Sequence, residues 1–128
     1  MALSHLLPEE RVRRRLLRVL VEELGYPKSR IVIEKELALL PHLQGCIVPK
    51  RRLDLLVYDQ EFCPLIVFEC KAKDVTQAAL EQVLGYNHVI GAPFVSVVGE
   101  ENALCCDASG KSIGGLKGYQ ELLEMACR

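Results

Sequence analysis

Tryptophan is absent from this chain, and three Phe and four Tyr are its only aromatics. Leu, Val and Ile must therefore fill whatever interior it builds. No aromatic platform for stacking unpaired bases is evident. Apolar runs are short, and none approaches the roughly 20 residues of a membrane-crossing helix. Metal-binding cysteine spacing is missing too. Of the six cysteines, Cys105 and Cys106 are adjacent, and Cys63 and Cys70 flank or enter an apolar run. No pair has the CxxC spacing of a zinc site or redox motif, so the thiols read as small buried hydrophobes. The opening MALSHLLPEERVRRRLL lacks the basic segment and long apolar stretch of a secretory leader. The expectation is a cytoplasmic chain with reduced thiols and no membrane association. Gly114-Gly115 lacks the strand-to-helix setting of a phosphate loop. His5, His42 and His88 share no ligand spacing and read as structural or surface residues.

What is present fits one α/β domain spanning residues 1–128. Half the residues are hydrophobic and 26% are charged, enough apolar surface for a core and too little net charge for disorder. The formal net charge of −1 hides an asymmetry. Residues 1–52 carry 11 Lys and Arg against 6 Asp and Glu; residues 53–128 carry 5 against 11. A basic half beside an acidic half suits a polyanion contact next to a cation site, although solvated faces produce such asymmetry as well.

The pattern along the chain predicts α-β-β-β-α-β, a further short strand, and a C-terminal helix. Residues 8–25 repeat Val12, Leu16, Val19, Leu20 and Leu24 near the helical period. Pro8, Glu9 and Glu10 suit the first turn, and Gly25 with Pro27 marks the stop. IVIEKEL (31–37) reads as a strand, and 41–49 as a loop. RRLDLLVYD (51–59) and PLIVFECKA (64–72) are strand-length runs with a short connection, hence a hairpin. From Asp74 to Ile90 the period becomes helical, with Asp74 or Thr76 as cap and Gly91-Ala92-Pro93 as terminator. FVSVV (94–98) is a buried strand, ALCC (103–106) its candidate partner, Gly110–Gly118 a loop, and YQELLEMAC the closing helix. Residues 65–98 form a β-α-β unit, expected as a parallel crossover.

The hairpin carries the chemistry. Alternation points Glu69 and Lys71 to one face and Phe68 and Cys70 to the other. Arg52, Asp54 and Leu56 share a face of the preceding strand. A turn centred on residues 60–63 sets Asp54 opposite Glu69, and Arg52 opposite Lys71. Two carboxylates facing each other across strands, roughly 4.5–5.5 Å apart at Cβ, repel unless a cation lies between them. Their oxygens suit Mg²⁺, or Mn²⁺, better than Zn²⁺. The competing reading is an ordinary charged sheet face on which Lys71 and Arg52 bridge the acids. Against it, the charges interrupt strongly apolar runs, where an unpaired charge is costly.

At these residues the sequence resembles the PD-(D/E)XK nucleases: Asp54 on one strand, then Glu69-Cys70-Lys71 on the next. Gln82-Val83-Leu84-Gly85-Tyr86 matches a downstream Q-x-x-x-Y motif found in some branches, among them the N-terminal nuclease domain of type I restriction enzyme R subunits. PEERVRRRLLRVLVEELGYP, RLDLLVYD and LEQVLGYN are similar to that domain's first helix, second strand and motif helix. The resemblance implies a restriction-endonuclease-like core with a mixed central sheet flanked by helices. It implies that Asp54 and Glu69 bind one or two Mg²⁺ ions with help from the Cys70 carbonyl, and that Lys71 positions or activates the attacking water. It implies that Gln82 orients Lys71 or a metal-bound group, that Tyr86 contacts the DNA backbone, and that an acid of the first helix, Glu10 or failing it Glu9, completes the site.

Lys50, Arg51 and Arg52 beside Asp54, and Lys73 just past the site, are candidate phosphate contacts on DNA. Arg11, Arg13, Arg14, Arg15 and Arg18 fit a solvated helix face better. The function expected is an Mg²⁺-dependent DNA endonuclease domain of the restriction–modification kind. It could work alone, as a homodimer making two cuts, or within a larger DNA-processing complex whose motor and methylation partners lie elsewhere. The alternatives are a catalytically silent nuclease-fold module binding DNA or a protein partner, and an α/β assembly subunit.

Overall fold

The computed structural model describes residues 7–126. Its centre is a six-stranded mixed sheet in the order β1-β2-β3-β4-β5-β6, with β1 Ile31–Glu36, β2 Arg52–Tyr58, β3 Pro64–Cys70, β4 Phe94–Val98, β5 Ala103–Asp107 and β6 Ser112–Gly114. Helices α1 (Pro8–Glu22), α2 (Gln77–Ile90) and α3 (Tyr119–Ala126) flank it. Only β3 and β4 pair in parallel; α2 makes the crossover between them. The other four neighbouring pairs are antiparallel.

Each helix forms where its apolar spacing can be buried. In α1, Val12, Leu16 and Leu20 lie against the sheet, while Val19, and Leu24 just past the helix end, are only half-buried. This face of the sheet joins α1 and α3 to Leu55, Val57, Ile66, Phe68 and Cys70. The opposite face packs Leu80, Val83, Tyr86 and Ile90 of α2 against Leu56, Val67, Val95 and Val97. The stretch after β1 contributes here too: Leu37 and Leu43, in two tight helical turns, and Leu40 between them close this core. Full burial of such side chains stabilises by roughly 1.5–3 kcal/mol each.

Helix α2 starts later than its periodicity suggests. Thr76, not Asp74, caps it, its hydroxyl accepting from the Ala79 amide at 3.1 Å. The helix ends at Gly91 in the left-handed conformation, φ 81°, which an L side chain adopts only with strain. Asn87 closes the turn into β4 by bonding both the amide and the carbonyl of Ala92.

With no Trp available, tyrosines span the layers. Tyr26 donates to the Lys117 carbonyl, and Tyr119 to that of Tyr58, at 2.8 and 2.9 Å. Strand β6 is a correction to the reading of 110–118 as loop: Ser112 and Gly114 pair with Cys106 and Cys105. Its glycines mask a strand that exists only because β5 offers an edge.

Candidate functional site

The site sits where β2 and β3 stop pairing. Leu56 pairs with Val67 and Leu55 with Phe68, the register that a turn at 60–63 predicts. Leu55–Phe68 is the last pair at this end. Two residues beyond Phe68, the Cys70 amide bonds not to a strand carbonyl but to Asp54 Oδ2, at 2.7 Å. The Asp54 carboxylate thus satisfies a backbone donor that the ladder leaves behind. No second hydrogen bond to Asp54 occurs among the described residues.

Glu69 points to the α2 face, as alternation requires, while Phe68 and Cys70 pack under α1. It is only 8% exposed. Tyr86, on α2, donates its hydroxyl to Glu69 Oε1 at 2.9 Å. The other oxygen, Oε2, faces two cations: Lys71 Nζ at 3.7 Å and an Arg51 guanidinium nitrogen at 3.6 Å. Burial holds the Glu69 carboxyl above the usual carboxylate range, and the nearby Asp54 charge adds to this. The Tyr86 hydrogen bond, Lys71 and Arg51 offset part of the rise. Burial and then the Glu69 charge push the Tyr86 phenol well above its ordinary value, so it remains a donor. The Cys70 thiol is pushed up to about 12, by burial first and then by Asp54 and Glu69. It stays protonated and offers no thiolate.

Arg51, rather than Arg52, reaches Glu69. Strict alternation assigns Arg52 to the face of Asp54. The start of β2 departs from that pattern: Leu53 packs with Leu37, Leu40 and Leu56 on the α2 side, and Arg51 lies over the Tyr86 ring, 4.4 Å from its centroid. Arg52 is exposed and pairs across the ladder with Glu36 of the edge strand. The sequence marked Arg51 only as one of three neighbouring basic residues. No local signal distinguished it.

Lys71 and Gln82 share the wall of a shallow open groove with Asp74, Thr76, Ala78 and Ala79. Gln82 is exposed and Tyr86 buried, so these helical neighbours one turn apart serve different surroundings. The Tyr86 hydroxyl is taken by Glu69 and its ring lies beneath Arg51, so in this structure it faces the acid rather than solvent. Lys73 is exposed.

The segment carrying Lys71 is held from behind. Its amide donates to the Val98 carbonyl at 2.8 Å. A Cβ on buried Gly99 would come within 2.7 Å of the Lys73 carbonyl oxygen, a clash with backbone that cannot rotate away. Gly99→Ala should therefore destabilise the fold by about 1–3 kcal/mol, measurable as a lower midpoint in urea.

Glu10 is not drawn into this group. Among the described residues, no three His, Cys, Asp or Glu side chains gather closely enough to hold an ion. Glu9, the fallback, is the α1 acid near enough to act on the Cys70 thiol, yet it too stays outside an acidic triad. Three α1 arginines are tied down: Arg13 pairs with Glu34, Arg11 lies 3.8 Å from Glu100, and Arg15 donates to the Glu100 carbonyl. His42 bonds the Ile90 carbonyl and His88 is exposed; His5 lies outside the described residues. Cys46, Cys63, Cys70, Cys105 and Cys106 are free thiols.

A mixed sheet with helices on both faces, carrying an Asp, a Glu and a Lys at neighbouring strand ends beside the following helix, defines a restriction-endonuclease-like α/β domain. Residues 8–122 match the family described as type I restriction enzyme R protein N terminus (HSDR_N). The chain belongs to that family. Among solved structures, it is similar to a fragment described as an HsdR subunit of a type I restriction enzyme from Vibrio vulnificus YJ016. The TM-score is 0.68 at 18% identity, over 94% of this chain and 25% of that one. At that identity the likeness concerns the fold. The chain spans about a quarter of that relative's length. No curated protein sequence matches it. No helix among the described residues is long and apolar enough to cross a membrane.

Proposed function

We propose that this chain is an Mg²⁺-dependent DNA endonuclease domain, of the PD-(D/E)XK kind, hydrolysing phosphodiester bonds. The observation that carries the reading is the convergence of Asp54 and Glu69 at adjacent strand ends with the Lys71 ammonium 3.7 Å from Glu69. The donors fit Mg²⁺, or Mn²⁺. Mg²⁺ is typically bound through one or two carboxylates together with waters and substrate phosphate oxygens, not by an all-protein cage, so the missing third acid is no obstacle. Asp54, Glu69 and the Cys70 carbonyl would hold it. Once bound, such an ion supplies Lewis-acid polarisation of a phosphate oxygen and makes an attacking water more acidic.

The chain's own groups do the rest. Lys71, half-exposed on the groove wall, stabilises charge developing on the phosphate and orients the water. Gln82, across the same groove, is placed to orient Lys71. Tyr86 fixes the Glu69 carboxylate, and Asp54 is fixed by the Cys70 amide. Arg52 and Lys73 are the exposed cations available for flanking phosphates. Family membership supports DNA as the substrate and a larger restriction complex as the setting. A homodimer would equally supply the two cuts that a duplex requires.

One observation favours a second reading, a silent module binding DNA or a protein: both Glu69 oxygens already have partners, in Tyr86, Arg51 and Lys71. Supercoiled plasmid incubated with the purified chain separates the two. Nicking is expected with Mg²⁺ or Mn²⁺ and should stop when EDTA is added. Metal binding by calorimetry without any nicking would favour the silent module.

A further inference from the structure

Arg51 is the most unusually placed cation in the structure. Its guanidinium carbon lies over the Tyr86 ring, 4.4 Å from the centroid, and a guanidinium nitrogen lies 3.6 Å from Glu69 Oε2, beyond the range of a good charge-assisted hydrogen bond. Its Nε is buried and has no hydrogen-bond partner among the described residues. A buried arginine nitrogen left unpaired is costly, so this is not the arrangement of a permanent forked ion pair. The backbone beneath it is anchored, since the Arg51 carbonyl accepts from the Leu37 amide at 2.9 Å. The side chain is thus held in place by ring stacking and charge alone.

What holds it there is the negative charge of Glu69, reinforced by Asp54. A divalent ion bound to the same carboxylates would neutralise that charge and repel the guanidinium. Lys71 faces the same oxygen at a similar distance, but it follows directly on β3, two residues from Glu69, and no atom of it is buried and unpaired among the described residues. Arg51, which enters from the segment before β2, is the group with reason to leave.

We propose that Arg51 is a stand-in cation: it occupies the Glu69 carboxylate before the divalent ion arrives and is displaced when the ion binds. This rests on the metal-site reading above and adds to it a competition between a side chain and the ion. Arg51 is then a positioning residue that steadies the buried Glu69 carboxylate beside Asp54 in the metal-free protein, at the expense of metal affinity.

The test is calorimetric titration of Mn²⁺ into the metal-free full chain and into Arg51→Met, which keeps an apolar stem over the Tyr86 ring. Arg51→Gln serves as the second variant should the first not fold. Asp54→Ala is the control that locates binding. Removal of the competitor should tighten Mn²⁺ binding roughly five-fold or more, and Asp54→Ala should abolish it. Binding by Arg51→Met where the unaltered chain shows none would also support the proposal. Equal or weaker Mn²⁺ affinity in the neutral variants would overturn it while leaving the metal site standing. Absence of Mn²⁺ binding in every protein would overturn the stand-in role and the metal site together.

Discussion

Lys71→Ala should cut Mg²⁺-dependent plasmid nicking by roughly 10²–10³-fold, the loss typical when one preorganised electrostatic stabiliser is removed. The geometry makes the substitution clean. Lys71 lies past the end of β3, its side chain is 29% exposed, and its single ion pair among the described residues is the 3.7 Å contact with Glu69. Its backbone amide, bonded to Val98, survives the change, so the strand end should hold its position. Circular dichroism and the urea midpoint should therefore stay close to those of the unaltered chain. Asp54→Ala should lose activity at least as completely, because it removes an oxygen ligand and also leaves the Cys70 amide unpaired. Undiminished cleavage in both variants would refute the site.

Glu69→Gln should act on two properties in opposite directions: nicking should disappear while the protein becomes more stable at neutral pH. The carboxyl is raised above its ordinary range chiefly by burial and next by Asp54. Folding therefore favours its protonated form. As pH climbs past the ordinary carboxylate value, the unfolded chain gives up this proton first, so the unfolded state binds fewer protons than the folded one. Stability then falls with rising pH, and the fall is complete once pH passes the raised folded value. Gln mimics the protonated state and can still accept from Tyr86. Its melting temperature should exceed that of the unaltered chain at pH 7 and match it in mild acid. Mg²⁺ should raise the melting temperature of the unaltered chain and leave that of Glu69→Gln unchanged. A lower melting temperature for Glu69→Gln at pH 7 would mean that Arg51 and Lys71 contribute more to folding through Glu69 than its burial costs. Sites that give up stability for function commonly show such opposed effects.

The acidic pair and the lysine were legible because strand alternation and turn length are local properties. Leu55 opposite Phe68 follows from the turn, and Glu69 turning away from Phe68 and Cys70 follows from the pleat. Helix α2 was readable from its period, but its first turn was not, because Asp74 and Thr76 are equally good caps until the chain path selects one. The short strand β6 left no trace at all in a glycine-rich stretch.

The site's fine structure was less accessible. Nothing in RRLDLL announces that pairing ends at Leu55, that Asp54 takes over the Cys70 amide, or that Arg51 replaces Arg52 at Glu69. Tyr86 was recognisable as a helical neighbour of Gln82, yet its role as a donor to Glu69 depends on how closely α2 packs against β3. The choice between Glu9 and Glu10 on α1 was not readable for the same reason: helical phase fixes which residues share a face, not how near that face comes to a strand end.

The sequence by itself determined the α/β order, the hairpin register, and the residue types available for hard-cation chemistry, because these follow from periodicity and chain connectivity. Only the tertiary structure decided which cation meets Glu69, which acids remain apart, and where the unpaired strand ends open. Those outcomes depend on distances between elements far apart in the chain, set by how the two cores pack against the sheet.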